Sequence, residues 1–402
     1  MKATKKYLAI AGIAGIAALT LSACAGGGDN PTPTTETTPA YTSEVDIGVV
    51  YSETGALAGY GAQFRDAFEI GLDYITDGTM IVNNTKINVS FHDDGGDADK
   101  ATQAAKELIA DGVQIITGTA ASGIALALAD LAKTEQILYV SGPAAADAIT
   151  GINEYTFRSG RQSLQDTATA GGFLDKIDGS KVVVFAQDTA FGQGNVAAVQ
   201  AVLGAKGATI VPLLVPEAAT EFSPFVAKLL AEKPDLVFVA WAGATSGAMW
   251  QSMEQQNVFD VAPIVTGLGD IPTYQAFGAN SGNISFLNHY FAGANTHKLN
   301  QVLIDGLKAK GKEADLFSPD GFNAAIMLVH AIAEGGDSVP AYIKALEGWT
   351  FDGPKGKMTV RAEDHALLQE MYQVRLVEKG GVWVPELIAT VSPEDAAPPV
   401  KK

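Results

Sequence analysis

The chain has 402 residues, a formal charge of −18 at pH 7, 47% hydrophobic residues, 43 Gly and 1 Cys. The acidic balance argues against nucleic acid or an anionic lipid surface as partner, since both reward clustered Lys and Arg. One cysteine excludes a disulfide framework, and the length predicts two domains, each with its own core.

Residues 1–23 begin with Lys2, Lys5 and Lys6 and continue in an uncharged apolar run, Tyr7 to Leu21. This pattern reads as a secretory signal, too short for a convincing membrane span. It ends in "LSAC", which resembles a bacterial lipoprotein signal and makes Cys24 the expected lipidation site. A lipoprotein cysteine carries more than one acyl chain, enough for stable anchoring. Residues 24–43 are rich in Gly, Pro and Thr and read as a flexible tether. The folded part is expected to start near Glu44, at the outer face of the cell membrane.

From Val45 a unit recurs: a short apolar run, a loop of small residues, an amphipathic helix. "VDIGVVY" precedes a helix carrying Phe64, Phe68, Leu72 and Ile75 on one face. "INVSFHD" precedes "ADKATQAAKELIADG", with Asp97 as its expected cap. "VQIITG" leads to "SGIALALADLAKTEQ" and then "ILYVSG". A second series runs from "KVVVFAQD" through "ATIVPLLV" and "PDLVFVAW" to "APIVTG". The strands lack polar alternation, so both sheet faces should be covered, as in parallel α/β sheets. The fold class is therefore α/β with two lobes. "FDGPKGKMTV" and "EMYQVRLVEKGGVW" read as a terminal pair of strands.

Ligands of open parallel sheets sit outside the carboxyl ends of the strands. "SETGALAGYG", "TGTAASG" and "SGPAAADA" are three such ends in the first lobe. Ser122 starts the helix "SGIALALADLAK", where free amides and the helix dipole favour an anion. A cap without any ligand explains Ser122 equally well.

The ordered set of these segments, from the signal through "VVVFAQDTAFGQG" to "FDGPKGKMTV", resembles the leucine/isoleucine/valine-binding type of ABC-transporter substrate-binding protein, a type I periplasmic binding fold. The resemblance implies two Rossmann-like lobes joined by three hinge crossovers, expected near Ser159, Gly293 and Trp349. It assigns 44–159 plus 294–348 to the first lobe, 160–293 plus 349–392 to the second, and 393–402 to a tail. It implies a monomer that closes on a small ligand, hands it to an ABC permease, and is held to the membrane by its lipid.

Carried over by position, the resemblance puts Ser122 on the carboxylate of an amino acid and Tyr60 against its side chain. Phe191 stands where a tyrosine is usual. Ala145 replaces a second hydroxyl, and Asp270 in "GLGD" is displaced from the acidic position that meets the ammonium. Trp241 is a wall or a core residue. With Tyr60 and Phe191 it favours an apolar or aromatic acid or amide.

No cofactor or metal is expected. Gly192, Gly194 and Ala197 form GxGxxA too far beyond the strand for a dinucleotide fingerprint. "HDDGGDADK" lacks the calcium-loop pattern and reads as a solvated turn and cap. The five His have no metal-ligand spacing. Three functions remain open: transport binding, a sensor ectodomain reporting to a receptor, and an exported enzyme, the last without a visible catalytic pair.

Overall fold

A computed structural model describes residues 41–401, apart from 172–175. The signal, Cys24 and most of the tether lie outside the described residues.

The apolar runs form strands, and the central ones (115–118, 138–141, 181–187 and 236–240) are buried on both faces, whereas those at 85–93 and 209–215 stay partly exposed. The first lobe opens with β1 (Ser43–Tyr51), α1 (Ala58–Ile75), β2 (Ile81–Val82), β3 (Thr85–Asp93) and α2 (Ala98–Ala110). It continues with β4 (Ile115–Gly118), α3 (Ser122–Glu135), β5 (Leu138–Ser141) and β6 (Thr156–Arg158). The sheet order is β2-β3-β1-β4-β5-β6, parallel except for β2. Asp97 caps α2 as expected, its carboxylate accepting the Lys100 N–H at 2.9 Å.

The chain then crosses to α4 (Ser163–Gly171), β7 (Lys181–Gln187), α5 (Ala190–Val202), β8 (Thr209–Val215) and α6 (Ser223–Ala231). β9 (Leu236–Ala240), α7 (Ser246–Gln255), β10 (Ile264–Gly267), α8 (Ile271–Phe277) and β11 (Ile284–Asn288) follow. It returns as α9 (Lys298–Ala309), α10 (Ser318–Gly335) and α11 (Val339–Leu346), and α10 packs along α1 in the first core.

The third return differs from the expectation. "FDGPKGKMTV" is itself a hairpin, β12 (Thr350–Gly353) and β13 (Gly356–Val360), extended by β14 (Leu367–Leu368) into a separate small sheet. Phe351, Met358, Val360 and Leu367 belong to the first lobe's core, so the crossing lies at Gln369–Glu370 rather than Trp349. Only then do β15 (Met371–Lys379) and β16 (Val382–Val391) pair antiparallel and complete the order β16-β15-β11-β10-β9-β7-β8. The tail is also more than a trailing end. The Pro398 carbonyl accepts from Arg361 at 2.7 Å and the Lys401 N–H donates to Asp364 at 2.9 Å, which carries the chain back to the first lobe. No helix among the described residues is long and apolar enough to cross a membrane.

The α1–α10 crossing depends on glycines. A Cβ on Gly321 would stand 2.0 Å from the Phe64 carbonyl oxygen, and one on Gly71 would stand 2.8 Å from Ala325. Gly321→Ala is expected to destabilise the first lobe by about 1–3 kcal/mol, the range of overpacked cores. Gly247→Ala, where nothing lies within 4 Å, should be neutral or slightly stabilising. Urea unfolding of the two variants checks the contrast.

Candidate functional site

Because both sheets are parallel, their strand-to-helix loops face one another across a cavity of about 310 Å3, within the range of small-molecule sites. Two acidic residues draw the first-lobe loops together. Asp93 accepts from the Glu53 and Thr54 N–H groups at 3.0 Å and from Lys100 at 2.7 Å. Asp94, fully buried, accepts from Ser52 Oγ at 3.1 Å and from Thr119 Oγ1. Within "HDDGGDADK" only Asp94 is buried; Gly96 to Lys100 form the exposed turn and helix start expected, with Asp97 as the cap.

Five of the six residues expected at the site line the cavity: Tyr60, Ser122, Ala145, Phe191 and Trp241. Ser122 is not the cap of α3. It is the first helical residue, Ala121 is the cap, and no side chain caps the first-turn N–H groups. Ser122 Oγ instead accepts the Ala146 N–H at 3.2 Å, which leaves its hydroxyl hydrogen available. The uncapped turn carries partial positive charge into the cavity.

Trp241 fulfils both of its readings. Its ring stacks on Phe185 at 5.6 Å and meets Phe222 edge-on at 5.2 Å, while another edge forms cavity wall. Its Nε1–H donates to Thr245 Oγ1 at 3.0 Å. Phe191 sits in the first turn of α5 and packs on the second lobe's core. Tyr60 reaches across the cleft: its hydroxyl accepts the Gly243 N–H at 3.3 Å, and its ring lies edge-on to Phe317 at 4.7 Å. Burial raises its hydroxyl pKa well above the ordinary value.

Asp270 does not line the cavity. It is the residue before α8 and accepts from Thr273 Oγ1 at 2.5 Å, while Gly267, Leu268 and Gly269 form the wall. The acid that does line it is Asp166, at 4% exposure. Asp166 Oδ2 is 3.3 Å from Arg161 Nε, and Arg161 Nη1 donates to the Pro143 carbonyl at 3.0 Å. Burial raises the Asp166 pKa, against the opposing pull of Arg161. His289 also lines the cavity, and burial depresses its pKa well below the ordinary value, so it is neutral.

Behind His289 lies Asp320, with Oδ2 3.7 Å from His289 Nε2 and neither oxygen hydrogen-bonded. Lys355 is equally buried and donates to Gln369 at 2.8 Å. A second acid, Asp315, joins the lobes: it accepts from Gln63 of α1 at 3.1 Å and from the Ile271 N–H of α8 at 3.1 Å.

Arg161, Asp166, His289, Asp315 and Asp320 were missed in the sequence reading. The visible signal was charge inside otherwise small or apolar stretches, "FRSGRQSLQD" and "ADLFSPDGF".

A periplasmic binding protein family model matches residues 44–381. The Leu/Ile/Val-binding protein homolog 3 of Brucella melitensis is 26% identical over 323 residues, 79% of this chain and 87% of that protein. The crystal structure of an ABC-type branched-chain amino acid transporter from Rhodopseudomonas palustris is 32% identical, with TM-score 0.72 over 89% of this chain and 99% of that one. A solute-binding protein of an ABC transporter from another strain of that species, in complex with 3,4-dihydroxybenzoic acid, shares the fold at 22% identity and TM-score 0.76, over 87% of this chain and 97% of that one.

Asp320 generates a pH prediction. Burial pushes its pKa up to about 7, from 3.8 when unburied, with Arg161, Lys355 and Arg158 opposing. Between those values the folded state keeps a proton that the unfolded state has lost, so this group makes stability fall as pH rises from about 4 to about 7. Asp320→Asn removes that loss. The variant should gain on the parent across this interval in urea unfolding, and a pH-independent difference would refute the assignment.

Proposed function

Since the chain belongs to the periplasmic binding protein family, we propose that it captures a small, carboxylate-bearing, apolar or aromatic solute and delivers it to the permease of an ABC importer. It is a binding protein rather than an enzyme, and it works outside the cytoplasm. The observation that carries the ligand class is the uncapped α3 N-terminus, with Ser122, opening into a cavity walled by Trp241, Phe191 and Phe317. An anion at such a terminus gains from free N–H groups and the helix dipole together. The Leu/Ile/Val-binding and branched-chain names of the relatives agree with an apolar acid. Asp270, directed at Thr273, leaves the ammonium of an amino acid without the partner that its position would supply, so acids lacking an ammonium belong to the same proposal.

The proposal extends to the leader. Cys24, lipidated, anchors a monomer to the outer face of the membrane through the tether, and the acidic surface keeps it from nucleic acid.

A micromolar site is worth about −8 kcal/mol. Loss of a hydroxyl bonded to a carboxylate costs roughly 1.5–3 kcal/mol. Ser122→Ala is therefore expected to weaken binding at least tenfold by calorimetry, using the best stabiliser from a thermal-shift panel of leucine, phenylalanine, benzoate and 4-methylpentanoate. A ligand at 100 times its Kd adds about 2.7 kcal/mol, a visible shift. Unchanged affinity would remove Ser122 from the site, and a panel without any stabiliser would refute the carboxylate reading.

A further inference from the structure

The loop between β9 and α7 makes the second lobe's contact with the start of α1. Ala242 and Thr245 line the cavity there, and Gly243 between them does not. The Gly243 N–H donates to Tyr60 Oη at 3.3 Å and the Ala244 N–H to the Ala56 carbonyl at 3.1 Å. Ala242 packs on the first-lobe cluster of Tyr60, Leu316 and Phe317.

This contact leaves no room for a side chain at Gly243. Its φ is +81°, and a Cβ there would stand 2.6 Å from the Ala56 carbonyl oxygen and 3.0 Å from Leu57 Cδ2, both in the other lobe. Each side is braced within its own lobe. The Gly243 carbonyl accepts from the Ser246 N–H at 3.1 Å and from Ser246 Oγ at 2.8 Å, and the Ala242 N–H donates to Gln187 at 2.9 Å. Opposite, the Leu57 carbonyl accepts the Gly61 N–H at 3.0 Å in the first turn of α1. The clash is therefore relieved by parting the lobes rather than by reshaping either one.

Resting on the proposed capture of a solute between the lobes, we infer that Gly243 is a positioning residue for binding: it lets the lobes meet, and so sets ligand affinity from outside the cavity. Ligand enters the open form and is held by the closed one, so affinity falls by the factor by which closure falls. Loss of two neutral hydrogen bonds corresponds to roughly five- to 150-fold. The change lies in dissociation, because entry does not use the contact.

The test compares Gly243→Ala with Gly179→Ala in the full chain. Gly179, in the same lobe, has φ +75° with nothing within 4 Å of an added Cβ, so backbone strain is matched and only the clash differs. Leucine, phenylalanine, benzoate and 4-methylpentanoate are the probes, followed by calorimetry and stopped-flow fluorescence. Gly243→Ala should bind about fivefold or more weakly, with faster dissociation and association within about twofold of the parent. Gly179→Ala should keep the parental affinity. Closure is also read without ligand. A Cβ on Gly59 would lie 4.0 Å from Asp270 Oδ2 across the cleft, so Gly59→Cys and Asp270→Cys join by oxidation only when the lobes meet. Cys24→Ser removes the one other thiol. Adding Gly243→Ala should slow this cross-link about fivefold or more. If circular dichroism shows Gly243→Ala unfolded, Gly243→Asn and Gly179→Asn replace the pair, since Asn accepts positive φ more readily. Unchanged affinity, an equal loss in the control, a loss carried by association, or an unslowed cross-link would each overturn the inference. If no probe binds the parent, the carboxylate reading fails and the cross-link alone decides the role of Gly243.

Discussion

Parallel pairing is the constraint on which the site depends. Every link from β1 through β6, apart from the short β2, and from β7 through β11 joins parallel strands, and each needs a long crossover, which is an α-helix everywhere except in the 142–155 loop between β5 and β6. The helices cover both faces, and the strand ends that lead into them share one edge. That geometry brings Tyr60, Ser122 and Ala145 together from separate loops of one lobe and sets Phe191 and Trp241 opposite them. The antiparallel strands β2, β15 and β16 lie at the margins of their sheets, where they add width without displacing a loop from the cleft.

A second requirement arises where the chain leaves one sheet for the other. Carbonyls in the 143–146 loop have no ladder partner, and a buried carbonyl must find a donor. Arg158 donates to the carbonyls of Ala144 and Ala146, and Arg161 to that of Pro143. Burying these cations is expensive, and Asp147 beside Arg158 and Asp166 beside Arg161 offset part of the cost through charge. The result is a polar seam along the hinge between two apolar cores. Its members serve the backbone first, and of them Arg161 and Asp166 also line the cavity.

The fold was legible because its signals are local and repeated. Apolar runs without alternation, Asp97 ahead of α2 and the small-residue loops each follow from a few neighbouring residues. The site was legible only where it lies at a strand end with a distinctive loop, as for Tyr60 and Ser122. Arg161, His289 and Asp320 act together through three-dimensional proximity, and nothing in their sequence neighbourhoods links a residue after β6 to one after β11 and one in α10. The third crossing was misplaced because "FDGPKGKMTV" pairs with itself: Gly353 and Gly356 close a hairpin whose apolar face fits the first lobe, and a strand pattern alone does not say which sheet it will join. Asp270 illustrates the limit of positional carry-over, since one residue of displacement turns a carboxylate from the cavity toward Thr273.

The contacts that hold the lobes together near the cavity are few and weak. The Gly243 N–H meets Tyr60 Oη, the Ala244 N–H meets the Ala56 carbonyl, and the Ile271 N–H meets Asp315. A neutral hydrogen bond contributes about 0.5–1.5 kcal/mol net and one to a carboxylate about 1.5–3, so these together supply roughly 2–6 kcal/mol, before the entropy of ordering two lobes is subtracted. That is less than the about 8 kcal/mol of a micromolar ligand. A ligand that touches both lobes, the α3 terminus on one side and Trp241 and Phe191 on the other, binds the closed state better than the open one. Only such differential affinity shifts the balance between them. A latch of charged pairs across the cleft would close without ligand and report nothing; amide and hydroxyl contacts of this size leave the decision to the solute.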